Sequence, residues 1–156
     1  GTARDTLASH GHPHIHLYGH LADIHDHMAV CDIGILPSSF VGESMPLVLL
    51  EMMGLGKPVL ATDAGEIPLI LGQGNEAAGV IVPLTDNQTL DQPAFTEALR
   101  QLILDPEKRA QYGDAAIKRY EAEFTIETMM QRYRGKYEEI IARRATRLAT
   151  LGGVTQ

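Results

Sequence analysis

Two glutamates, Glu43 and Glu51, stand with seven residues between them, and that interval holds Pro46 and the apolar run Leu47 to Leu50. An ionised carboxylate only accepts hydrogen bonds, so it suits paired hydroxyls such as those of a ribose or another sugar. Pro46 or Leu47 marks a helix start, because the missing N–H of a proline costs nothing in a first turn. The amides near Pro46 to Val48 then lack intrahelical partners at the positive end of the helix dipole, where a diphosphate is the natural occupant. Glu51 lies one turn into that helix and Glu43 in the loop before it. Two acceptors beside one anion cradle fit a nucleotide sugar. The same spacing also fits a solvated loop residue and a surface helix residue, with Leu47, Val48 and Leu50 simply in the core.

The elements that must position these residues read as short β-rich runs alternating with helical patterns. Strands are expected over Ile15 to Gly19, Ile33 to Pro37, Pro58 to Thr62 and Gly79 to Pro83. Most are continuous apolar runs, as in a parallel sheet covered on both faces. Helices are expected from about Ala22 to Val30, from Pro46 or Leu47 to Gly54 or Gly56, and for a turn or two within Gly65 to Leu71. From Asp91 onward the pattern is helical: Pro93 to about Leu104, another begun by Asp105-Pro106, and a last from Ile126 to about Arg144 with Thr125 as N-cap. Residues after Leu151 read as a frayed tail. The expected organisation is one partial α/β domain over 1–156, with a nucleotide-sugar-binding core at 14–90 and a helical segment at 91–150.

The 156 residues suffice for one ordinary domain. Hydrophobic residues at 44% and charged residues at 21% predict a packed core. Thirteen Lys and Arg against 20 Asp and Glu give a net charge of -7, which argues against nucleic acid and anionic lipid as partners. No apolar run approaches the roughly 18 residues that would suggest a membrane span, so the chain reads as soluble. The single cysteine, Cys31, fits a reducing compartment, taken as the cytoplasm, and reads as a small buried residue. A first residue other than Met, and a polar His-rich opening, suggest a piece of something longer.

Glu-Ser-x-Pro-Leu-Val-Leu-Leu-Glu at 43–51, followed by Met-x-Gly-x-Gly-Lys-Pro-Val, resembles the E-x7-E motif of GT-B-fold retaining glycosyltransferases, often called family 4 or group 1. Flanking pieces agree in order: Leu17-Tyr18-Gly19-His20-Leu21, Cys31-Asp32-Ile33 to Pro37-Ser38, and Gly79-Val80-Ile81-Val82-Pro83. The resemblance spans roughly Ile15 to Tyr137. It implies the Rossmann-like C-terminal half of a GT-B fold with its first strands missing. Glu43 is then the catalytic position, touching the donor sugar, and Glu51 meets the ribose. Ser44, Met45, Pro46, Leu47 and Val48 offer groups to donor sugar and diphosphate, and Leu21 lies beside the base. The implied partners are a nucleotide diphosphate sugar, a hydroxyl acceptor and an N-terminal acceptor domain, with no cofactor or metal. Two departures stand out: Leu69 follows Pro68 where the family usually has Glu, and the family's basic pair would precede residue 1.

A non-catalytic nucleotide or nucleotide-sugar binding module fits the same residues, whereas a nucleotide-sugar epimerase lacks support because no Gly-x-Gly-x-x-Gly turn occurs. All seven histidines fall between His10 and His27, with His10, His12, His14 and His16 at alternate positions. Such a row could ligate a metal from one face of a strand, but Gly11 and Pro13 interrupt it and no Cys pair accompanies it. In the last helix Ile126, Met129, Met130, Tyr133, Tyr137, Ile140 and Ile141 form one stripe. Its first part is expected to pack on the domain's own sheet and its later part, Tyr137 to Ile141, to stay uncovered.

Overall fold

The computed structural model describes residues 13–152. The chain divides into two compact units, with the break between Val30 and Cys31. In the first unit no strand forms over Ile15 to Gly19, a correction to the sequence pattern. A strand requires a second segment to take up its N–H and C=O groups, and among the described residues this segment has no ladder partner; Ile15 and Leu17 stay exposed. Ring contacts order it instead, with Tyr18 lying 6.1 Å from His16 and 5.1 Å from His27 between centroids. Helix α1 (Ile24–Ala29) follows and buries Met28. His10 and His12 lie outside the described residues, and among the described ones no three His, Cys, Asp or Glu side chains gather as metal ligands.

The second unit is built on three parallel strands, β1 (Gly34–Leu36), β2 (Val59–Thr62) and β3 (Gly79–Val82), in the order β1-β2-β3. Gly34 pairs with Val59, and Val59 with Gly79. Parallel neighbours need crossovers. Helix α2 (Leu47–Gly54) supplies the first, and the short α3 (Ile67–Leu71) with a single turn at Gly74–Glu76 supplies the second. Three further helices complete the chain: α4 (Gln92–Leu104), α5 (Pro106–Glu123) and α6 (Ile126–Gly152).

Strand alternation divides the core in two. Val59 and Ala61 pack with Leu49 and Met53 of α2, Ile67, Ile70 and Leu71 of α3, and Ala116 of α5. Leu60 points the other way, to Val82, Phe95 and Leu102. β2 is therefore buried along its whole length, whereas β1 leaves Ile35 exposed and is covered on one face only. Cys31, ahead of β1, is exposed rather than buried, because the strand enters the sheet only at Gly34.

Local chemistry sets most helix ends. α2 closes through Gly56 at φ 66°, with the Gly56 N–H on the Met53 carbonyl and the Lys57 N–H on the Met52 carbonyl, both at 3.0 Å. Asp91 and Asp105 accept from the amides of Ala94 (3.0 Å) and Lys108 (2.8 Å) at the starts of α4 and α5. Thr125 accepts from the Thr128 amide at 3.2 Å and starts α6. That helix continues past Arg144 to Gly152, since the intervening Ala, Arg and Leu residues favour it. The whole stripe from Ile126 to Ile141 is exposed, including the part expected to reach the sheet. α5 already supplies Ala116 to that core, and α6 leaves it after Phe124. Among the described residues no helix is long and apolar enough to cross a membrane.

Candidate functional site

Because the three strands are parallel, their carboxyl ends open on one edge, the usual location of ligand sites in open α/β sheets. The segment after β1 carries Pro37 to Pro46, and the turn after β2 carries Asp63 to Glu66. Main-chain and hydroxyl contacts join these two segments. The buried Thr62 hydroxyl donates to the Ser38 carbonyl. The Glu66 N–H donates to the Glu43 carbonyl at 2.7 Å, and the Glu43 N–H donates to the Phe40 carbonyl at 3.1 Å. Ser38 Oγ accepts from the Phe40 N–H at 3.2 Å and approaches Glu43 Oε1 at 3.4 Å as donor. Asp63 accepts the Leu84 N–H at 2.8 Å, tying the second turn to the segment after β3.

Glu43 is half-buried in this network, and its carboxylate retains acceptor capacity beyond the long contact with Ser38. Ser44 and Met45 are exposed. Pro46 caps α2 with extended backbone (ψ 112°), so the helix begins at Leu47, and no side chain caps it. The Leu49 N–H donates to the Pro46 carbonyl at 3.0 Å. The amides of Leu47 and Val48, before the first helical bond, remain for an outside acceptor. Buried Leu49 and Met53, four residues apart, bolt α2 to the sheet, and Glu51 between them is exposed. Leu21 is half-buried within the first unit.

Several neighbours were not legible as site residues. Met45, Leu47 and Leu50 line a groove of about 630 Å³ with Phe124, Met129, Arg132, Tyr133 and Lys136 from the α5–α6 junction and α6. Spacings of three and four between Met129, Arg132, Tyr133 and Lys136 place them on one helix face, but nothing in the sequence brings that face to α2. Thr62 and Gly65 likewise act across more than 20 residues of chain. Of the methionines on and around α2, Met53 fills the core and Met52 packs against Gly34, while Met45 borders the groove, opposite Met129 of α6.

A family model described as Glycosyl transferases group 1 matches residues 1–105. The chain is 29% identical over 116 residues to the MMP alpha-(1->4)-mannosyltransferase of Mycolicibacterium hassiacum, covering 74% of this chain and 26% of that protein. It is 34% identical over 106 residues to the D-inositol 3-phosphate glycosyltransferase of Corynebacterium urealyticum, covering 66% of this chain and 23% of the relative. In fold it is similar to a sucrose-phosphate synthase from Thermosynechococcus elongatus, with a TM-score of 0.62 at 24% identity over 75% of this chain and 27% of that one. The chain thus spans about a quarter of the length of the curated relatives it matches.

Proposed function

Because the chain belongs to the group 1 glycosyl transferases, we propose that it is the donor-binding part of an enzyme that moves a sugar from a nucleoside diphosphate sugar to an acceptor hydroxyl with retention of configuration. The observation that carries this reading is the uncapped start of α2, with Glu43 in the loop before it and Glu51 one turn inside it. Charge develops on the diphosphate as the sugar departs, and amides already aimed at it stabilise that charge without reorganising. In this reading the segment Ser44 to Val48 holds donor sugar and diphosphate, Glu51 takes the ribose hydroxyls, and Glu43 takes the sugar. No side chain is assigned as a base; retention follows from attack on the same face, assisted by the leaving phosphate.

The acceptor side and the cations that neutralise the diphosphate are assigned to a further part of the protein. Support comes from the relatives, which are about four times as long as the stretch they share with this chain. The single Cys31 fits a cytoplasmic setting. Calorimetry of the full-length protein with UDP, GDP and ADP tests the reading, and binding of at least one is expected. Binding of none would overturn it. Binding without transfer of sugar from the matching donor would favour a non-catalytic binding module. Residues 1–156 alone should transfer no sugar, since both partners must be held in attack geometry; transfer at the full-length rate would refute the division between donor and acceptor parts.

A further inference from the structure

We propose that the turn between β2 and α3 is the positioning device for Glu43, with Gly65 as its essential residue; this rests on the role proposed above for Glu43. The segment from Ser38 to Glu43 has no regular structure, and Phe40 and Val41 within it are exposed. The bond from the Glu43 N–H to the Phe40 carbonyl closes the segment on itself but ties Glu43 to no other element. The turn, by contrast, is anchored: Ala64 and Ile67 are buried, the Ile67 N–H donates to the Ala64 carbonyl at 3.2 Å, and Asp63 holds the Leu84 amide. Farther along, the Arg119 guanidinium donates to the carbonyls of Leu69 and Ile70, at 2.7 Å each, and pins the end of α3.

The contact between turn and loop is backbone against backbone. Gly65 has φ +52°, and a Cβ there would lie 2.1 Å from the Glu43 carbonyl oxygen, 2.9 Å from its carbon and 3.0 Å from its nitrogen. None of these atoms can swing aside as a side chain can, so any other residue must push the Glu43 main chain away and break the bond from the Glu66 N–H. The Ser38 hydroxyl, held by its own carbonyl's bond from Thr62, then loses its place beside the carboxylate.

The test compares Gly65→Ala with Gly74→Ala in the full-length protein. Gly74 has a similar left-handed φ of +67°, but nothing lies within 4 Å of a Cβ there, so the control carries the backbone strain without touching Glu43. The readouts are kcat with whichever of UDP-glucose, GDP-mannose or ADP-glucose the wild type turns over, and the Kd of the matching nucleoside diphosphate. Gly65→Ala should lower kcat by about a hundredfold, because misplacement of about 1 Å is enough for that loss, with the diphosphate Kd unchanged. Gly74→Ala should leave both near the wild-type values. Should Gly65→Ala not fold, Ser38→Ala decides: kcat falls and Ser38→Thr restores it, while Kd stays constant. Unchanged kcat in the folded Gly65→Ala protein, equal losses in both glycine variants, or unchanged kcat in Ser38→Ala where that variant decides, would overturn the proposal. A wild type that neither binds nor turns over these nucleotides would instead remove the functional reading on which it rests.

Discussion

Glu43 and Glu51 lie on one nine-residue stretch, yet different physics holds each of them. Glu51 rides a regular helix whose inward residues, Leu49 and Met53, are in the core, so its outward direction follows from helical periodicity. Glu43 has no such frame. Its main chain is gripped by the Gly65–Glu66 turn, which follows the next strand in sequence. A carboxylate set by a helix tolerates changes in distant loops, whereas one set by a backbone grip is exposed to them.

The largest expected effects come from removing the two carboxylates in the full-length protein. Glu43→Ala should lower transfer by roughly two to three orders of magnitude and leave nucleoside diphosphate affinity intact. Glu51→Ala should weaken that affinity by about tenfold or more, in keeping with loss of hydrogen bonds to a charged group. Titration calorimetry beside steady-state kinetics separates these outcomes, and equal losses in both quantities would erase the distinction between the two sites.

Gly56→Ala sharpens the comparison from the helix side. It forces a Cβ into a left-handed position against Ile117, 2.7 Å away. A cost of about 1–2 kcal/mol is expected, read as a lower thermal midpoint; nucleotide affinity should suffer more than kcat. Asp63→Ala probes the other side. It removes the acceptor of the Leu84 amide and should cost about 1 kcal/mol, with kcat falling more than affinity. Reversal of either pattern would show that the turn and the helix are not independent supports.

The smallest effect belongs to a region that touches neither glutamate. On α4, hydrogen bonds from Arg100 and then Gln101 draw the exposed Glu97 carboxyl from 4.5 down to about 2. A lowered folded value means that the pair supports α4 fully above the unfolded value of 4.5 and loses this support as pH falls through about 2. Carbon-detected NMR should place the midpoint near 2, and Glu97→Gln should leave nucleotide affinity and transfer unchanged. A change in either would extend the site to the opposite face of the sheet.

Much of this molecule is written in short-range chemistry. Asp105 before Pro106, Thr125 before Ile126 and Gly56 after α2 each act within a few residues, and all three mark helix ends as their side chains, or the lack of one, require. The apolar runs at 58–62 and 79–83 likewise announce β2 and β3, and the ordered motifs from Glu43 to Pro83 announce the family. Other features depended on which segments meet. Ile15 to Gly19 has the composition of a strand and forms none, because pairing is a property of two segments. The α6 stripe has core periodicity yet stays exposed, since α5 already contributes to the core beside the sheet. Glu43 could be recognised as a candidate from its spacing to Glu51. Its location was decided only when folding carried Gly65 and Glu66 against its backbone, a contact between main-chain atoms on which no side-chain pattern bears.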